Sequence, residues 1–254
     1  ASWDFILELR RRLSVELVPV KDVVESHRRV KDSDEIALLT QAADAGDAAF
    51  LRIREMAAGA ETEADLAWAI NAAMRAEGAG VADWGPIVAA GANSALPHHE
   101  SGNDPLGSGL LLLDFGCVVA GYHSDMTRTI SLGDALDPEM ARIWNAVIEA
   151  QARAVDVVTA GVPAEEVDAA AREVLRGYGL EVHFVHGTGH GVGLEIHEGP
   201  RLAADSKDVL EAGHVVTVEP GVYLPGLGGV RIEDTVVVTE KQPLVLNASS
   251  KELF

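Results

Sequence analysis

The chain has 254 residues, 48% of them apolar, and sets 40 acidic side chains against 20 basic ones for a formal charge of −20. This supports a substantial core and excludes a mostly disordered chain, while the acidity, relieved only by the Arg10 to Arg12 triplet, excludes nucleic acid as an expected partner. No stretch approaches the roughly 18 apolar residues of a membrane helix, and a sole cysteine, Cys117, rules out an internal disulfide or a thiolate zinc site within one chain.

The opening ASWDFILELRRRL carries its charges after a short apolar segment rather than before it, unlike an export signal, so a soluble cytoplasmic protein is expected. Residues 1–31 fit no repeated unit and read as a stub. Residues 32–57 read as one helix, opened by Asp32 and Glu35 as a capping box, with Ile36, Leu39, Ala43, Ala48 and Leu51 roughly on one side. A second helix runs from about Glu63 to Arg75 and stops before Gly78 and Gly80. WGPIVAAG and GLLLLDFGCVVAGYHSDMTRTISLG then read as sheet.

The order repeats. Asp137 and Pro138 are placed as N-cap and first helical residue of a long helix with Ile143, Trp144, Val147, Ala150 and Ala154 on one face. Another helix starts near Pro163, carries Val167, Ala171, Val174 and Leu175, and ends at Gly177. EVHFVHG, HVVTVEPGVYL, GGVRIEDTVVVTE and PLVLN follow as strand-like segments. Two passes of helix, helix and sheet predict an α+β fold of two similar halves, with helices packed over one curved, mainly antiparallel sheet.

Asp114 ends the apolar run LLLLDFG, and Asp125 follows a short glycine-containing excursion, a spacing that predicts a hairpin holding the two side by side. A carboxylate adjoining four leucines needs a cation or a dense hydrogen-bond network, unless both aspartates merely cap turns. The DFG triplet is not that of a kinase, because no glycine-rich nucleotide loop or HRD-type catalytic loop precedes it. Glu219 and Glu233 lie in runs apolar enough for central strands, and Arg231 and Glu233 project from one face. His190 lies in HGTGHGVGLEIHEG, whose glycines Gly187, Gly189, Gly191 and Gly193 are expected to let backbone pass close to a ligand. Four carboxylates and one imidazole suit Mn²⁺, Co²⁺, Fe²⁺ or Zn²⁺, and match two ions better than one. The rival set His183, His186 and His190 has helical spacing in a segment of strand-like composition, and no HExxH pair occurs.

LLLDFG with GYHSDMTRT, HGTGHGVGLEIHEGP, VEPGVY and GVRIEDT resemble the five-ligand signature of the dinuclear metallopeptidases of the pita-bread fold, the family of methionine aminopeptidase, prolidase and aminopeptidase P. The resemblance runs from about residue 33 to the C-terminus. It implies that Asp114 and Asp125 are the chelating and bridging aspartates, that His190 and Glu219 complete one metal, and that Glu233 bridges. It implies further that His98, in NSALPHH, lies near the scissile amide and that His197 stabilises the tetrahedral intermediate, with Tyr223 and Arg231 supporting substrate and ligand geometry. The short separation of Glu219 from Glu233, and the Asp234-Thr235 that follows, resemble the Xaa-Pro branch. That branch implies hydrolysis before proline in short peptides with proline second, by a hydroxide bridging two divalent ions, Mn²⁺ foremost and Co²⁺, Zn²⁺ or Fe²⁺ as alternatives. Glu219 is then the candidate proton carrier to the proline nitrogen. A methionine aminopeptidase-like enzyme and a non-catalytic peptide-binding module are the competing readings. Proline-specific members also carry an N-terminal domain that often forms a homodimer contact, of which residues 1–31 are expected to be a remnant.

Overall fold

The computed structural model describes residues 2–133 and 137–252 and opens with two short helices, α1 (Trp3–Arg12) and α2 (Val23–Arg29), that bury no residue of their own. After α2 the backbone docks: Lys31 N donates to Gly213 O at 2.8 Å, and Val30 bridges His214. The expected capping box opens α3 (Ser33–Leu51), with Asp32 Oδ1 accepting from Asp34 N and Glu35 N while Glu35 Oε2 accepts from Asp32 N. The single helix expected over 32–57 instead breaks at Arg52, and α4 (Ile53–Gly59) follows the break. The break turns Ile53 into the core beside Phe50 and leaves Leu51 81% exposed, so Leu51 is not on the buried face. α5 (Glu63–Ala76), boxed by Thr62 and Asp65, buries Leu66, Ile70, Ala73 and Met74 against the same cluster.

Six strands follow: β1 (Gly80–Val81), β2 (Ile87–Ala90), β3 (Leu110–Phe115), β4 (Cys117–Val119), β5 (Tyr122–His123) and β6 (Met126–Ser131). β2, β3 and β6 form an antiparallel ladder, and β1, β4 and β5 a smaller one. All of β6 and the four leucines of β3 are buried, as a sheet covered on both faces requires. The register sets Asp114 opposite Thr127 and Phe115 opposite Met126, so Asp125 lies just beyond the ladder rather than directly across from Asp114. The displacement comes from Gly116, where a Cβ would stand 1.9 Å from Ser124 O: the chain pinches there and the β4–β5 excursion leaves the ladder.

The second half begins with α6 (Pro138–Val157), capped by Asp137 on Glu139 N, and α7 (Ala164–Gly177), whose apolar faces share one cluster. EVHFVHG is not a strand. It forms a 3₁₀ turn over Glu181–His183 and then a loop, because Arg172 on α7 lies over the Phe184 ring and donates to Phe184 O and His186 O, which a ladder would otherwise use. Next come β7 (Gly189–Gly191), β8 (Glu198–Leu202), β9 (Val215–Val218), β10 (Gly221–Leu224), β11 (Gly228–Arg231), β12 (Asp234–Val237) and β13 (Leu244–Val245). Five of them pair in the order β13-β12-β9-β7-β8, while β10 and β11 make a separate hairpin.

The expected single sheet is thus a set of antiparallel ladders joined at a seam. Along it Arg231 N donates to Thr129 Oγ1, Glu233 N to Thr127 O, and Thr235 Oγ1 to Asp125 O, so threonine hydroxyls replace part of the backbone ladder. The buried Arg128 ties the seam to the C-terminal segment through Asp234, Ser249 O and Ser250 O. Among the described residues no helix is long and apolar enough to cross a membrane.

Candidate metal centre

The acidic residues lie where strands end. Asp125 precedes β6, Glu219 follows β9, Glu233 fills the break between β11 and β12, Asp114 is next to last in β3, and His190 is central in β7. One cavity of about 810 Å³ is lined by all five together with His98, His197 and Arg231. Tyr223 lies beneath it, buried, with its hydroxyl donating to His186 Nε2 at 2.8 Å and accepting from Arg231 Nη1 at 2.8 Å.

Donor atoms of Asp125, His190 and Glu233 lie within 4.8 Å of one another, among the described residues the group close enough to share a cation. Asp114 and Glu219 face the same space but are engaged by the protein. Asp114 Oδ2 accepts from Arg231 Nη2 at 2.5 Å, and Glu219 Oε1 lies 3.3 Å from His190 Nε2 and accepts from Thr217 Oγ1 at 3.1 Å. Thr127 Oγ1 donates to Glu233 Oε2 at 2.6 Å. The other oxygens, Asp114 Oδ1 and Glu233 Oε1, are buried with no hydrogen-bond partner in the protein. Buried carboxylate oxygens left bare are costly, and a cation is the partner that removes the cost. His190 fits the same need: Nδ1 lies 3.0 Å from Gly191 O, which fixes the proton there and turns Nε2 toward Asp125 and Glu219. The residues present therefore fit divalent metal.

The electrostatics agree. Burial, then the charges of Glu233, Asp114 and Glu219, pushes the Asp125 carboxyl well above its ordinary range. Burial, then Glu219 and Asp114, does the same to Glu233. Burial also raises Asp114, with the Arg231 charge opposing it. Burial opposes ionisation of Glu219 too, but the hydrogen bond and charge of His190 outweigh it and hold the group at about 2. Against burial, which disfavours its charge, His190 is raised by that same hydrogen bond. Without a cation these surroundings favour the protonated forms of Asp125, Glu233 and His190, and metal binding competes with those protons.

The alternative triad does not form: His186 is committed to Tyr223 and Gly187 O, and His183 stands on the 3₁₀ turn. Nor do the glycines mainly face a ligand. A Cβ at Gly189 would meet Thr217 O at 2.0 Å and one at Gly191 would meet Gly199 O at 2.2 Å, so they let strands β7, β8 and β9 close on each other. Sequence reasoning weighed His186 only as a rival ligand and missed its bond to Tyr223, and it missed Thr127, which supports the centre, and Arg29 and Trp84, which line the cavity. Only His186 carried a signal, its place in the glycine-rich stretch.

Residues 37–240 match the model of metallopeptidase family M24. The chain belongs to that family. This M24 peptidase is 37% identical over 255 residues to the Xaa-Pro dipeptidase of Pyrococcus furiosus, an alignment covering 100% of this chain and 73% of the relative. Its structure is similar to that of the Xaa-Pro dipeptidase from Bacillus anthracis, with a TM-score of 0.96, 40% identity, and coverage of 100% of this chain and 72% of the other. The X-Pro aminopeptidase from Thermotoga maritima is also similar, with a TM-score of 0.92, 36% identity, and coverage of 98% and 72%. The M24 peptidase accordingly has the α+β architecture that its two helix-helix-sheet halves predict and the pita-bread fold that the resemblance implies.

Proposed function

We propose that this M24 peptidase hydrolyses the peptide bond preceding proline in short peptides with proline second, using two divalent ions, Mn²⁺ foremost, held by Asp114, Asp125, His190, Glu219 and Glu233. One observation carries the reading: an oxygen-rich donor set with a single imidazole, two of its buried oxygens unpartnered, shares a cavity with His98 and His197. The likeness to Xaa-Pro dipeptidases supports the substrate class.

Bound metal supplies Lewis acidity toward the scissile carbonyl and a water acidic enough to attack it at neutral pH. The chain's own groups do the rest. Burial, then the neighbouring His190, lowers the His197 imidazole, so it stays neutral and donates one N–H to the developing oxyanion. His98 holds the peptide near the scissile amide. Glu219 accepts the proton of the attacking water on a carboxylate oxygen and passes it to the proline nitrogen. Arg231 fixes Asp114 by one oxygen, and Tyr223, raised to about 12 chiefly by burial, stays a neutral hydroxyl linking Arg231 to His186.

The test is hydrolysis of Ala-Pro, Ala-Pro-Ala and Ala-Ala by metal-loaded protein, read by mass spectrometry with Asp125→Asn as control. Cleavage before proline alone, absent from the control, is the expected result. Cleavage of Ala-Ala at a comparable rate would overturn proline specificity, and failure on all three with metal bound would favour the peptide-binding module.

A further inference from the structure

His197 is carried by the loop between β7 and β8, and its ring makes no hydrogen bond among the described residues beyond an edge contact with the His190 ring, centroids 4.4 Å apart. Its position is therefore set by whatever fixes residues 193–198. At its start Gly193 O accepts from His123 N of β5 at 2.8 Å, and further on Glu195 and Glu198 are held from the N-terminal side of the chain. Lys31 Nζ donates to Glu198 Oε1, and Arg28 Nη2 donates to Glu198 Oε2 at 2.7 Å, while Arg28 Nη1 lies 3.4 Å from Glu195 Oε1. His197 thus stands between two residues held by one arginine. The Lys31 side chain is 1% exposed and that of Glu198 7%, so this is an interior ion pair whose geometry is fixed on both sides. Lys31 is immobilised through its own backbone bond to Gly213 O. Gly193 leaves room for the pair, since a Cβ there would stand 2.5 Å from Glu198 Oε1 and 3.0 Å from Lys31 Cε. Glu198 also lines the cavity that holds the metal-centre residues.

We infer that Arg28 and Lys31 are positioning residues for His197, acting through Glu198, so that the segment before α3 is a working part of the active site. The inference rests on the oxyanion role of His197 proposed above. A surface tether would need neither a buried lysine nor two cations on one carboxylate. Lys31 instead fixes the loop at its base, where a small rotation of Glu198 displaces the adjoining imidazole, and misplacement by about 1 Å is enough to cost catalysis heavily.

The experiment is a double-mutant cycle in the metal-loaded full chain on Ala-Pro, combining Lys31→Met with His197→Ala, with metal content measured for each protein. Lys31→Met is expected to lower kcat about tenfold or more with KM and metal content little changed. In the His197→Ala background the same change should cost less than about twofold. In parallel, the histidine ε1 NMR signal that disappears in His197→Ala should shift and broaden in Lys31→Met. Equal losses in both backgrounds, full kcat in Lys31→Met, or an unmoved NMR signal would overturn the inference. A fully active His197→Ala variant would instead overturn the oxyanion role itself, and the inference with it. If Lys31→Met does not fold, Arg28→Gln, which removes the other cation on Glu198, carries the same cycle.

Discussion

Arg231 reaches across the seam to Asp114, donating from Nη2 to Oδ2 at 2.5 Å and leaving Oδ1 bare toward the cavity. The guanidinium therefore decides which oxygen of Asp114 can meet a cation. Its other nitrogens hold Thr127, Tyr223 and Pro97 O, so one side chain orients a carboxylate, a phenol and the loop that carries His98.

Replacing Arg231 with Met should weaken metal binding by about 10–100-fold, as removal of a partner that orients a ligand does. It should also cost the fold about 3–5 kcal/mol, since Asp114 is left buried without its cation. Calorimetric metal titration and thermal unfolding read the two effects separately.

Glu233→Gln should abolish activity and the binding of at least one ion, yet leave the metal-free protein as stable as its parent or more so. The reason is that burial, then the charges of Glu219 and Asp114, push the Glu233 carboxyl well above its ordinary range, so ionising it costs the metal-free fold, a cost the amide never incurs. Melting in chelator, beside inductively coupled plasma analysis of loaded protein, checks both halves. Clear destabilisation of the stripped variant would contradict this account.

The same shifts set a pH dependence. Asp125 and Glu233 have folded-state pKa values raised above their ordinary 3.8 and 4.5, so the folded state binds more protons than the unfolded one above that range. Their contribution to stability therefore falls as pH rises from the ordinary range up to the raised values. Bound metal keeps both groups ionised in the folded state and should flatten or reverse this slope. Melting curves from acid to neutral pH, with chelator and with Mn²⁺, provide the comparison.

Glu63 is fully buried at the start of α5 and accepts from Ala90 N, Asn93 Nδ2, His99 Nε2 and Gly102 N, stapling both ends of the loop that bears His98. Glu63→Ala should cost about 2–4 kcal/mol through the donors left unpaired, and should lower kcat/KM by misplacing His98. Denaturant unfolding and steady-state kinetics test the two parts.

Glycine substitutions should divide by location. Gly189→Ala drives a Cβ to 2.0 Å from Thr217 O, a backbone atom that cannot move aside, and should cost about 3 kcal/mol or more. Gly177→Ala, at the end of α7 with nothing within 4 Å, should be neutral or stabilise by about 0.5 kcal/mol.

The parts of the fold legible in the sequence were those fixed locally. Asp32 with Glu35, and Asp137 with Pro138, announce helix starts because a cap acts within one turn. EVHFVHG misled because Arg172, on a different element, takes the carbonyls that a strand would have paired. The register of Asp114 and Asp125 depends on a pinch at Gly116 against Ser124, which spacing alone does not reveal. At the centre, the residue types and their order were readable, whereas the supports were not. Tyr223 meets His186 across 37 residues and Lys31 meets Glu198 across 167, and nothing local at Tyr223 or Lys31 marks the partner.

The most direct test strips the protein of metal and titrates Mn²⁺ back while following Ala-Pro hydrolysis and bound metal in the same samples. The account predicts negligible activity in chelator, and a rise that saturates with two ions per chain. Full activity in the stripped protein, or two ions bound with no hydrolysis of any Xaa-Pro peptide, would contradict it.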